Sequence, residues 1–166
     1  MANTLRLIFG IFLLPACWGF CSALVMCIIR AADRSGGFNL ESIALLGGVL
    51  LFSLCWALLP HPVKTYVVGH ELTHALWGLL FGAKPSNLKI GKNGGSVNLT
   101  KTNFFITLAP YFFPFYTFIV LIAAFITYLF VRPLPLLPLW VFLIGFTWAF
   151  HLLFTMQTLT EKQPDI

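Results

Sequence analysis

Charge is what this sequence has least of. Asp, Glu, Lys and Arg make up only 9% of its 166 residues, against about 25% in a soluble globular domain. Hydrophobic residues reach 59%, and 18 residues are Phe. That balance excludes an ordinary soluble domain and fits a polytopic membrane protein. The net charge is +5, yet no continuous basic run or stripe exists, which argues against a nucleic-acid partner. The basic residues fall mostly in the gaps between apolar runs, as they do on the cytoplasmic face of a bilayer. Cysteine is scarce too. Cys17, Cys21, Cys27 and Cys55 form no Cys-x-x-Cys pair and all lie in apolar runs. A disulfide scaffold or zinc ribbon is therefore excluded, and these four read as small buried hydrophobes. No internal repeat or low-complexity segment is present.

What the chain does have is long apolar runs, and there are five. Leu5–Ile29 is interrupted only by Arg6. It is long enough to span a hydrocarbon core of about 30 Å and too long for a cleaved signal peptide. A polar, Gly-containing loop occupies 30–39. The second run is Leu40–Pro60, with Asn39 as a natural N-cap and Glu41 in the first turn. Pro62 can open the third, Val63–Phe81, and Gly82 can close it. The one long polar stretch, 83–103, carries alternating segments around Lys92-Asn93-Gly94-Gly95, the pattern of a β-hairpin with an Asn-Gly turn. The fourth run, Phe104–Val131, contains Pro110 and Pro114 and should kink or break. The fifth is Leu139–Leu159.

The expected fold is an all-α polytopic membrane protein of about five hydrophobic helices, four to five of them spanning. A small β-hairpin separates the third from the fourth. Residues 1–166 form a single integral membrane domain: two preceding helices in 1–60 and a core in 63–166. If all five runs cross with the N-terminus outside, seven Lys and Arg are cytoplasmic and three are not. The positive-inside rule favours that orientation.

The third run contains His70-Glu71-Leu72-Thr73-His74, a His-Glu-x-x-His pattern. The two histidines are four apart on a segment without internal proline, so they share one helical face. That is the spacing two imidazoles need to reach one tetrahedral zinc. Glu71, about 100° round the helix, can lie beside a water at the metal without ligating it. Tyr66, His70, His74 and Gly78 succeed each other at i+4, with Thr73 nearby. The small residues would admit a neighbouring helix carrying a third ligand. Val68, Leu72, Ala75, Leu76 and Leu79 form the opposite, apolar face. Ionisable groups in the middle of an apolar run are costly and mark function by default.

With these residues in view, the stretch His70–Ile90 resembles the first motif of the intramembrane site-2 protease superfamily, in its small bacterial branch. Leu108-Ala109-Pro110-Tyr111 is similar to the family's second signature. The resemblance covers roughly residues 63–117. It implies a metalloprotease-like core in 63–166, one zinc ion held by His70 and His74, and Glu71 as the catalytic base. It places a third ligand on an Asp late in the chain, where Asp165 stands in Gln-Pro-Asp-Ile. Ile166 replaces the family's Gly, and Phe112, Phe113 and Phe115 occupy the region where an Asn is often found. Tyr111 is then the candidate donor to the substrate carbonyl in place of that Asn. The residues themselves offer a rival third ligand in His151, flanked by Thr147 and Thr155 at i−4 and i+4.

The expectation is therefore an intramembrane zinc metalloendopeptidase. It would cleave membrane-anchored protein substrates in the bilayer of a bacterial inner (plasma) membrane. An extended substrate would add to the hairpin edge near Asn93, Gly94 and Gly95, unless the hairpin is a simple connection. The alternative is a catalytically inactive metal- or partner-binding scaffold of the same fold. A transporter is disfavoured because the runs show no paired halves.

Overall fold

The computed structural model describes Ser22, Met26, residues 39–91 and residues 94–160. The chain divides into two compact units, Met1–Leu40 and Glu41–Ile166. In the first, Ser22 and Met26 are helical; the rest of the Leu5–Ile29 run and the loop up to residue 38 lie outside the described residues.

The second unit carries the His-Glu-x-x-His motif. Its helices are α1 (Leu40–Leu58), α2 (Val63–Leu80), α3 (Phe104–Phe112), α4 (Phe115–Phe130) and α5 (Leu137–Thr160), with strands β1 (Pro85–Ile90) and β2 (Gly95–Leu99) between α2 and α3. The protein is thus mostly helical with one small antiparallel hairpin. Among the described residues two helices, α1 and α5, are long and apolar enough to cross a membrane, or up to three spans if α3 and α4 count as one bent span. Five crossings are not established by these residues. The motif helix α2 is not among the candidates, because Lys64, His70, Glu71, Thr73 and His74 dilute its apolar character.

Glycine allows a close helix contact. A Cβ on Gly48 would run into the carbonyl oxygen of Phe142, and one on Gly145 into that of Leu45. The α1 and α5 backbones therefore approach each other directly, as small residues permit between membrane helices. Beside this crossing lies an aromatic core of Phe52, Phe150 and Phe154 around Ala149, with Trp56, Tyr66, Tyr116 and Phe146 packed against it. The rings meet mostly edge to face, as for Phe52 and Phe146 at 5.1 Å and 85°. That is the arrangement the ring quadrupole favours.

The ends of α2 obey the local chemistry of the sequence. Pro62 precedes its first residue. At the other end Gly82 has φ +71°, and its N–H donates to Leu79 O while Ala83 N–H donates to Gly78 O. These paired bonds use the left-handed conformation that glycine adopts without strain. In the hairpin Ile90 pairs with Gly95 and Pro85 with Leu99, with a bulge between Ser86 and Lys89. Asn87 takes φ +51° there, a conformation Asn tolerates better than most.

The fourth apolar run breaks as its prolines require, but at one of them only. Asn103 caps α3 by accepting from Ile106 N–H at 2.8 Å. The helix then passes through Pro110 and stops at Phe112. Phe113 is extended (φ −100°, ψ +103°), as expected of a residue before proline, and α4 restarts after Pro114 at 74° to α3.

Candidate functional site

Helix α2 buries the polar residues of its middle and exposes several apolar ones near its C-terminus. Val67, Gly69, His70, Glu71, Thr73 and Gly78 are buried, while Leu76, Leu79 and Leu80 are exposed. A lipid surround makes that inversion reasonable, since ionisable groups in a membrane face the interior of the bundle. The face expected from the sequence is therefore the inward one. The neighbour that approaches its small residues differs from expectation, however. Gly78 receives the side chain of Leu99 from β2, and Gly69 receives the ring of Tyr116 from α4. At Gly78 the close neighbour is a strand rather than a helix.

His70 and His74 stand one turn apart with ring centroids 4.9 Å from each other. Each is held through Nδ1. His74 Nδ1 lies 2.8 Å from the carbonyl oxygen of Ile106 in α3. A carbonyl can only accept, so Nδ1 carries the proton, and in the neutral ring the lone pair sits on Nε2. His70 Nδ1 lies 3.2 Å from the Tyr66 hydroxyl. Tyr66 is itself fixed by stacking on Phe154 at 4.7 Å and 5°. A metal-binding histidine is usually oriented in this way by a partner on its other nitrogen.

Glu71 is only 7% exposed. It lies on the wall of a cleft of about 290 Å³ with His74 and, from the hairpin and α3, Gly95, Ser96, Val97, Ile106 and Thr107. Gly95 is where the hairpin touches the motif. A Cβ there would stand 2.7 Å from both Glu71 Cγ and Val67 Cγ1. On the other side of α2 a small cavity of about 20 Å³ is lined by Tyr66, His70, Thr73, Pro110, Tyr116 and His151, among others. That is room for a single water.

The other sequence candidates fall into different places. Tyr111 meets His70 edge to face at 5.6 Å and 88°. His151 reaches the His70 side of the motif through the small cavity and is directed at the backbone of Tyr111. Of its flanking threonines, Thr147 bonds back to Leu143 O, and the Thr155 hydroxyl is buried without a hydrogen-bond partner. Gly94 has φ +141° with open space around it, whereas Gly95 lies against Glu71. Asn93 and Asp165 lie outside the described residues. Among the described residues no three His, Cys, Asp or Glu side chains gather closely enough to hold a metal.

Three participants were not singled out from sequence: the Ile106 carbonyl, the Asn103 cap, and Tyr116, whose hydroxyl donates to Thr65 O at 2.6 Å. Two of them had a usable signal: Asn103 stands just before an apolar run, where an N-cap belongs, and the Ile106 carbonyl precedes Pro110 by four residues. A proline inside a helix deprives the carbonyl four residues earlier of its donor, and Pro110 does this to Ile106. Compared with protein-family models, with curated proteins and with solved structures, the chain matches no family model, no curated protein and no solved structure.

Proposed function

We propose that the protein is an intramembrane zinc metalloendopeptidase that hydrolyses peptide bonds of membrane-anchored protein substrates. It would act as a multi-pass protein of a bacterial inner membrane. The observation that carries this reading is the pair His70 and His74, one turn apart and each held through Nδ1, beside a buried Glu71 that borders an open cleft. The two histidines suit zinc as part of a ligand set: two imidazoles on one face, the His74 tautomer presenting Nε2, and a carboxylate one position away. Asp165 or His151 would complete the ligand set.

When bound, zinc supplies Lewis acidity, bringing the pKa of a water toward ~7 and polarising the scissile carbonyl. His70 and His74 would hold the ion. Glu71 takes a proton from the attacking water, whose oxygen bonds to the carbonyl carbon. As the C–N bond breaks, Glu71 returns that proton to the leaving amine. The products are a new carboxylate and a new amine. The substrate must be unwound, since a helix hides its carbonyls. An extended segment in the cleft would run along β2, whose residues 95–97 form one wall. Pairing to a strand is an established way to hold an extended chain.

The test uses the full chain in detergent, with bound zinc measured and a single-span reporter offered as substrate. Wild type should bind zinc and cleave. Glu71→Gln should keep the metal and lose about 10²–10⁴-fold in cleavage. Equal cleavage by both would remove Glu71 as the base. Zinc binding without cleavage by either would favour the inactive scaffold.

A further inference from the structure

We propose that Pro110 is a positioning residue for His74, acting through a backbone carbonyl that its own missing N–H leaves available. In a regular helix the residue at 110 donates to the carbonyl of Ile106, four residues earlier. Proline has no N–H, and its ring crowds that carbonyl. Here the Ile106 carbonyl instead accepts from His74 Nδ1 at 2.8 Å. Water is a poor substitute at this place, since Ile106 is 1% and Ala109 0% exposed.

A role for Pro110 in bending the chain does not account for it. Helix α3 continues through Pro110 to Phe112, and the 74° turn comes at Phe113 and Pro114. Apart from lining the small cavity, what Pro110 contributes locally is the carbonyl it frees. That carbonyl keeps the proton of His74 on Nδ1 and the lone pair on Nε2, the nitrogen a metal takes. His74 in α2 and Ile106 in α3 are 32 residues apart in sequence, and this bond fixes the His74 ring to α3. The link to metal binding rests on the zinc reading above; the tautomer does not.

The experiment replaces Pro110 by Ala, which restores an N–H that competes for the Ile106 carbonyl and draws it back along the helix axis. A third protein carries an ester at position 110, with lactic acid in place of the alanine, so that the N–H is absent again without the proline ring. In metal-free, ¹⁵N-histidine-labelled protein, wild type should show His74 as the Nδ1–H tautomer. Pro110→Ala should show a mixture, and the ester should return to the wild-type spectrum. Zinc affinity should fall about 10- to 100-fold in Pro110→Ala, the loss typical of removing a ligand's orienting partner, and recover in the ester. An unchanged His74 tautomer in Pro110→Ala overturns the proposal. So does an ester that fails to recover, since the ring's packing would then be responsible. His74→Ala separates the two ideas: zinc binding that survives it sinks the metal site, while the tautomer measurement still decides the role of Pro110.

Discussion

At Gly95 the lack of a side chain gives Glu71 its place. A methyl group there would overlap both Glu71 Cγ and Val67 Cγ1, so either the hairpin or the carboxylate would have to move. Gly95→Ala should therefore depress cleavage by about 10²-fold, the scale of a roughly 1 Å misplacement of a catalytic group. Zinc content should stay at the wild-type level, because neither His70 nor His74 is among the nearest neighbours of that Cβ. Parallel assays of bound metal and reporter cleavage read this directly, and equal loss of both would show that the hairpin supports the metal ligands as well. The same residue separates local from distant information in the chain. The His-Glu-x-x-His face is set by a 3.6-residue period within one helix, so it was legible locally. The contact between Gly95 and Glu71 joins residues far apart along the chain, and no local rule announces it.

Among the elements, the α1–α5 crossing and the α3–α4 break carry the geometry. At the crossing Gly48 and Gly145 face opposing backbone rather than flexible side chains, so an added methyl cannot be absorbed by a rotamer change. Gly48→Ala should destabilise the unit by about 1–3 kcal/mol, seen as a lower unfolding temperature in detergent, with Gly47→Ala nearly silent. The Gly47 position meets only the Phe142 ring, at ordinary van der Waals distance. At the break, two prolines in one apolar run announce a disturbed helix without saying which one turns it. Pro114 does so, because it forces Phe113 out of helical geometry. Pro110 is accommodated because its orphaned carbonyl finds His74. That choice depends on a side chain from another helix and could not be read along the run itself.

For the whole molecule, the proposed zinc site needs a third ligand. His151 lies across the small cavity from the motif, and Asp165 stands in the sequence beyond α5. Zinc titration of His151→Ala and Asp165→Ala should single out one of them, with affinity reduced more than about 100-fold in the true ligand variant and near wild type in the other. Equal, small losses in both would leave His70 and His74 as a two-residue site and favour the scaffold reading. A membrane setting is consistent with α1 and α5, which are long and apolar enough to cross, and with His70, Glu71 and Thr73 of α2, which are buried. The sequence by itself determined the helical, lipid-suited composition, the hairpin, and the shared face of His70 and His74. Each of these depends on local periodicity, turn chemistry or average hydrophobicity. Only the tertiary structure decided that Ile106 holds His74, that Phe154 stacks on the Tyr66 ring beside His70, and that Gly95 yields to Glu71. These arrangements depend on contacts between distant segments, fixed by how the helices and hairpin pack.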